Sequence, residues 1–367
     1  MRIAVIHGND GSDVRVGKTC RSLSKMGYDV YFIGWDRTPD SEKQFDLGNT
    51  SKAIIRHATQ YGRWNLYGQI IFLLHITKTL RKIRPDVVCC VNEELTFLIL
   101  PLRGISYKHM VCDIYDSPID RLSHRNWLIR TIVWLLSTAT RKFADRLIVT
   151  DERRFARIKE KLHNKCIIVE NAPEDPGEEL SKIIPQGKIK IYVTGSLGRD
   201  KGLEYLVKAV ESIEEAEIIS AGWPYYDYAK NVFIKHPKVT YKGIVTLKQS
   251  LELAANCDIV LSFYAPVTLN NKYASPNKIY DAMSVGRPVI INPEIIVADW
   301  VNQNNLGFIC KYGDVEHLRQ IILSLKDKRR ELPEFSARVR DLYVRNHTWE
   351  QMEIRLKNLY TNITCNK

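Results

Sequence analysis

The feature that most constrains this chain is a rhythm that runs twice. Short apolar runs recur as RIAVIHG (2–8), YDVYFIGW (28–35), PDVVCCVN (85–92), KHMVCDIYD (108–116), DRLIVT (145–150) and CIIVEN (166–171). Between them lie stretches of helical period, such as VRVGKTCRSLSKMG (14–27) with its Gly stop and WLIRTIVWLLSTATRKFA (127–144). Strands alternating with helices predict βαβ units, and near-continuous Val/Ile strands predict a parallel sheet covered on both faces. NAPEDPGEELSKIIPQGK (171–188) then breaks the rhythm with three prolines and two glycines and reads as a linker. The rhythm restarts with KIKIYVTG (188–195), EAEIISAG (215–222), KVTYKG (238–243), CDIVLSFY (257–264), RPVIIN (287–292) and GFICKY (307–312). The expected fold class is α/β: two Rossmann-like, doubly wound domains facing a central cleft. A length of 367 residues agrees, because single cores stop growing before that size. The expected division is an N-terminal domain over 1–172, a linker over 173–187 and a second domain over 188–345. A C-terminal helix over 346–367 is expected to pack back toward the first domain. Thr348 is its expected N-cap, with Trp349, Met352, Ile354, Leu356 and Leu359 on one side.

Composition is that of an ordinary globular protein, with 45% apolar and 26% charged residues. No signal peptide and no membrane-spanning run is evident. The eight cysteines show no metal spacing and sit in apolar runs, which predicts reduced buried thiols and a cytoplasmic setting. The net charge of +12 is uneven. Residues 1–170 hold 28 Lys and Arg against 18 Asp and Glu; residues 171–367 hold 26 against 24. An anionic surface near the first half is therefore expected. Nucleic acid is not expected as a partner, since no basic-aromatic RNA motif or recognition helix is present.

Two segments carry candidate chemistry. In SPNKIYDAMSVGRPVI (275–290), Ser275-Pro276 signals a helix start, where unpaired N–H groups favour phosphate. Lys278 in that first turn opposes the helix dipole, as if an anion were awaited. Asp281 shares its helix face. In TGSLGRDKGLEYLVKAV (194–210), a strand ends at Gly195, and a turn carrying Arg199 and Lys201 precedes a helix. Open α/β sheets hold phosphates at that strand end.

These two clusters, in this order, resemble the C-terminal half of GT-B glycosyltransferases, closest to family 4 (glycosyl transferases group 1). The turn Gly195-Ser196-Leu197-Gly198-Arg199-Asp200-Lys201-Gly202 is similar to the family's G-x-L-x-x-x-K-G. Gly286-Arg287-Pro288-Val289-Ile290 is similar to its G-x-P-V-I, and Ala221-Gly222 to its A-G strand end. Asp13-Val14-Arg15-Val16, Leu23 and Gly27-Tyr28-Asp29-Val30 are similar to its first helix and second strand.

The resemblance implies a UDP- or GDP-sugar donor bound by the second domain, with no other cofactor and no metal. Lys201 matches the lysine on the donor diphosphate, and Asp281 the acid that holds the ribose. Ser196, Arg199, Gly222, Tyr264, Tyr273, Ser275, Asn277 and Lys278 complete the expected donor site. Two positions depart from the pattern. Ser196 stands where many members carry Arg, with Arg199 as the expected substitute. Tyr273 stands where many carry a second Glu.

On the acceptor side, Asp116 and then Asp113, at the end of CDIYDSPID (112–120), are the candidate general bases. His7, Gly8, Asn9 and Gly11 follow the first strand. Asp116 as base would suit inversion, whereas the overall resemblance favours retention. The basic, aromatic segments 64–84 and 121–143 either cover the sheet or lie in a membrane interface. The expected function is sugar transfer to a glycan or polyprenyl-phosphate-linked acceptor in surface polysaccharide synthesis. The expected location is the cytoplasm at the inner face of the membrane. The alternatives are a sugar-nucleotide 2-epimerase and a non-catalytic GT-B partner protein.

Overall fold

The computed structural model describes residues 1–38, 46–59 and 65–365. The chain divides into two compact units, one of Met1–Val169 with Glu353–Lys367 and the other of Glu170–Met352. The first contains strands β1 (Arg2–Ile6), β2 (Asp29–Asp36), β3 (Ser51–Arg56), β4 (Val87–Val91), β5 (His109–Ile114), β6 (Arg146–Val149) and β7 (Cys166–Ile168). They form one sheet in the order β3-β2-β1-β4-β5-β6-β7, every pair parallel. The second unit contains β8 (Ile189–Leu197), β9 (Ala216–Pro224), β10 (Val239–Tyr241), β11 (Ile259–Ser262), β12 (Val289–Ile291) and β13 (Gly307–Ile309). Their order is β10-β9-β8-β11-β12-β13, again all parallel. Each sheet winds outward from its first strand and then returns to that strand's other side. The reversals fall between β1 and β4 and between β8 and β11, where the connecting chains part and leave room for a ligand.

The apolar runs are buried because helices cover both faces. In the second sheet, Tyr192, Val260, Val289 and Ile291 pack on Ile279 and Met283. Their neighbours Ile191, Ile259, Leu261 and Ile290 pack on Leu206, Val210, Leu318 and Ile322 of the opposite layer. Alternate residues thus point to opposite faces, as strand geometry requires. In the first sheet, Ile6, Cys90, Cys112 and Val149 share one face with Phe72, Ile76 and Leu80 of helix Leu66–Ile83. Seven of the eight cysteines are described as free, buried thiols.

Three expectations differ from what is found. β3 was not foreseen; its sequence, SKAIIR, pairs with β2 at the sheet edge and none of it is fully buried. The stretch read as a linker belongs to the second unit: Leu180 and Ile183 pack on its core, and Arg287 Nη2 donates to the Ile183 carbonyl. The last helix, Trp349–Cys365, is capped by Thr348, whose Oγ1 accepts from Gln351 N at 3.3 Å, but Ile354 points to solvent.

Candidate active site

The second unit gathers several of the expected donor-site residues at the carboxyl ends of β8 and β11. After β8 the chain makes one tight turn, Arg199–Lys201, before helix Leu203–Glu211. Gly202 takes a φ of +67° at the junction, a conformation that costs glycine least. Lys201 Nζ lies 2.7 Å from Asp200 Oδ2 and 3.6 Å from the centroid of the Tyr264 ring. Lys278, in the first turn of helix Asn277–Ser284, places its Nζ 5.6 Å from the same ring. Gly195 lies alongside it at φ +87°, where a Cβ would make an ordinary contact with Lys278 Cε at 3.9 Å but would be strained by the backbone. Burial, and then the neighbouring Lys201 charge, push the Lys278 amine down to about 7, against the opposite pull of Asp200 and Asp281. Two lysine amines beside one aromatic ring, next to a helix N-terminus, make a site suited to a multiply charged anion.

The framework around these lysines comes largely from residues that sequence reasoning missed. Asn292 is fully buried just after β12. Its Oδ1 accepts from Tyr264 N at 2.9 Å, and its Nδ2 donates to Tyr264 O at 3.0 Å and to Glu294 Oε2 at 2.8 Å. Both backbone groups of Tyr264 are thereby fixed by one side chain. Asp200 is held in turn, its carbonyl accepting from Ala265 N at 2.8 Å. The available signal was an amide placed directly after the VII strand and before Pro293, where a buried polar side chain needs partners.

The remaining donor-side residues take varied positions. Asp281 lies on the Lys278 helix and is half-buried. Ser196 is exposed at the end of β8. Arg199 is also exposed, with its guanidinium 5.7 Å from the Tyr226 ring centroid. Gly222 has a structural reason of its own: at φ +128°, a Cβ would meet the Gly195 carbonyl oxygen at 1.9 Å. Tyr273 caps helix Leu269–Lys272, and Ser275 is half-buried. Pro276, expected inside the first turn, occupies the N-cap, and Asn277 opens the helix.

In the first unit, Asp113 is buried at the end of β5 and accepts from Arg15 Nη2 at 3.0 Å. Burial pushes its carboxyl up while Arg15 pulls it down. Arg15 also donates to the Val169 carbonyl at 2.7 Å and stands 4.9 Å from the Tyr115 ring centroid. Asp113, expected at an open strand end, is therefore enclosed in a structural ion pair. Asp116 is about half exposed and accepts from Arg154 Nη2 at 3.1 Å. Its loop is fixed by Asn92, whose Oδ1 accepts from Tyr115 N at 3.0 Å and Asp116 N at 3.2 Å. Asn92 holds a φ of +66°, a strained value for a residue with a side chain. His7 lies 5.8 Å from Tyr115 ring to ring, and burial lowers its pKa. Gly8 is buried beside it, and Gly11 N donates to Asn9 Oδ1 at 3.0 Å in the turn after β1.

Residues 188–328 match the family model described as glycosyl transferases group 1. No curated protein sequence matches the chain. Among solved structures, sucrose-phosphate synthase from Thermosynechococcus elongatus superposes with a TM-score of 0.76 at 14% identity, covering 100% of both chains. HepE from Anabaena, solved with UDP and glucose, gives 0.73 at 13% identity over 98% of this chain and 99% of its own. The lipopolysaccharide outer core galactosyltransferase WaaB, in its apo form, gives 0.60 at 13% over 99% of each. The chain therefore has the GT-B fold of these solved structures, and residues 188–328 of its second unit are similar to the glycosyl transferases group 1 family.

Proposed function

We propose that the protein is a family 4 enzyme that moves a sugar, with retention, from a UDP-sugar or GDP-sugar. The proposed acceptor is a glycan or a polyprenyl-phosphate-linked glycan of surface polysaccharide synthesis, at the cytoplasmic face of a membrane. The observation that carries this reading is the pair Lys201 and Lys278 on the Tyr264 ring. As the glycosidic bond breaks, negative charge grows on the departing diphosphate. Fixed cations and helix N–H groups stabilise that charge more than they stabilise the ground state. In this reading Asp281 accepts from the ribose hydroxyls, Ser275 and Asn277 donate near the phosphates, and Ser196 and Tyr273 border the sugar. The UDP held by HepE, a protein of the same fold, supports uridine as the base.

Retention is proposed because an inverting transfer needs an available general base, and the two carboxylates expected in that role are engaged elsewhere. Asp113 is engaged by Arg15 and Asp116 by Arg154. Asp116→Asn is therefore expected to lower kcat less than about 10-fold, whereas loss of a general base costs roughly 100- to 10,000-fold. Anomer-resolved NMR of the product reads the stereochemistry directly.

The primary test is calorimetry with UDP, GDP, ADP and CMP on the intact protein and on Lys201→Ala. One nucleotide should bind, and the variant should weaken it by roughly 10- to 100-fold, the loss of a hydrogen bond between charged groups. A folded protein that binds none of the four rules the donor reading out.

A further inference from the structure

The first unit carries an amphipathic helix turned inside out. Helix Trp127–Phe143 buries Ser137 and Thr140 rather than its large apolar side chains. Glu93, fully buried, explains the inversion: its carbonyl accepts from Thr140 Oγ1 at 3.2 Å and its carboxylate from Arg141 Nε at 2.5 Å. The polar stripe is drawn inward, and the apolar residues go outward. Trp127 is 75% exposed, and Leu128, Ile132 and Leu135 are each more than half exposed. Phe97 and Leu98 of helix Glu93–Ile99, which packs against this helix, are exposed as well. A surface of this kind is not left to water without a reason.

A cavity of about 480 Å³ adjoins it. Trp134 of the same helix forms part of its wall, and Ile114, Val149 and Ile158 supply apolar lining. Six cations line it as well: Arg141, Lys142, Arg154, Arg157, Lys159 and Lys161, against one carboxylate, Asp120. The arginines are engaged by Glu93, Asp116 and Asp120. Lys142, Lys159 and Lys161 have no ion-pair partner among the described residues; Lys159 Nζ stands 5.6 Å from the Trp134 ring centroid.

We propose that this cavity and the outward face of helix Trp127–Phe143 seat an anionic phospholipid of a membrane surface. The phosphate lies among Lys142, Lys159 and Lys161, and Trp127, Leu128, Ile132 and Leu135 enter the acyl boundary. This deepens the membrane-facing part of the proposed function and is independent of the donor site. The charges select an anion, and the continuous apolar face selects one that carries hydrocarbon. A polynucleotide or an acidic peptide would satisfy the lysines but leave the Leu and Ile side chains in water. No helix among the described residues is long and apolar enough to cross a membrane, so the contact is peripheral.

The test is sedimentation of the full chain with vesicles of phosphatidylcholine alone and of equal parts phosphatidylcholine and phosphatidylglycerol. Binding to the anionic vesicles is expected. K142Q/K159Q/K161Q should weaken it on the order of 100-fold, at about five-fold per cation near the surface. W127S/L128S/L135S should weaken it by at least about 10-fold through lost apolar burial. Circular dichroism confirms that both variants are folded. Three outcomes overturn the proposal. The vesicles fail to bind the wild type; inorganic phosphate binds where vesicles do not, marking a site for free phosphate compounds; or the apolar variant binds vesicles as the wild type does, marking a purely ionic contact. UDP binding by the same preparation is measured in parallel, so failure of the donor reading is seen separately.

Discussion

In the proposed donor site, Lys278 sets function against stability at one atom. Its amine sits at about 7 in the native protein, against 10.5 for an ordinary lysine. Between those values the unfolded chain binds a proton that the native site does not. This group's contribution therefore makes stability rise with pH from about 7 to 10.5, and lie flat at its penalised level below about 7. A bound diphosphate reverses the preference by favouring the charged amine. Nucleotide affinity should be level below about pH 7 and fall above it, with proton uptake on binding at about pH 8. Calorimetry in buffers of different ionisation enthalpy measures that uptake. Lys278→Met should raise the Tm of the nucleotide-free protein by roughly 2–4 °C, about 1 kcal/mol, while removing most nucleotide affinity. The Lys201 and Asp281 positions and the turn around them were legible in the sequence, because a basic turn after a strand and a charged helix start are local patterns. What the sequence withheld was that both lysines meet at the Tyr264 ring. Tyr264 and Lys278 meet through tertiary packing, and Asn292, which fixes Tyr264, is 28 residues away from it in the chain. Asn292→Ala should cost about 1–3 kcal/mol, since it removes the hydrogen bonds that this fully buried side chain makes to both backbone groups of Tyr264. It should also raise the donor KM more than it lowers kcat, as steady-state kinetics will show.

At the scale of elements, twelve of the thirteen strands are legible as short apolar runs, and inner ones such as VVCCV of β4 are the continuous runs that a strand covered on both faces requires. β3 is not, because SKAIIR, with its Ser, Lys and Arg, is a partly exposed strand whose apolar part is only three residues long. Helix Trp127–Phe143 shows a different limit. Its periodicity marks an amphipathic helix but not which stripe faces the sheet, and a buried carboxylate from another helix decides that. Glycines at the strand ends are similarly opaque. Gly222 reads as a family motif, yet its absolute requirement is the approach of the Gly195 carbonyl. Gly222→Ala should destabilise the second unit by more than about 3 kcal/mol, because the clash is with backbone that cannot move aside. Urea unfolding measures it. Loss of nucleotide binding without loss of stability would show instead that Gly222 matters only as a ligand contact.

For the whole molecule, the repeated rhythm was enough to give two parallel α/β units, whereas the boundary between them was not. Segment 171–187 looks like a linker because of its prolines, but Leu180, Ile183 and the arginine contact tie it to the second unit. Nucleotide binding should act on that unit alone. At ~100-fold over Kd it adds about 2.7 kcal/mol of stability. Hydrogen exchange should slow in β8, in β11 and in helix Asn277–Ser284, while the sheet of the first unit exchanges as before. The first unit also has a debt to the far end of the sequence. Leu356, Leu359, Tyr360 and Ile363 are buried, Glu353 accepts from Ser22 Oγ at 2.7 Å, and Arg355 donates to the Ile168 carbonyl. All belong to the segment that returns to complete that unit. During synthesis, the unit that leaves the ribosome first is therefore the last to close. For some 180 residues of translation its Tyr28 side waits for Tyr360, so a chain that ends before residue 353 and is released from the ribosome holds all of the second unit and an open first one.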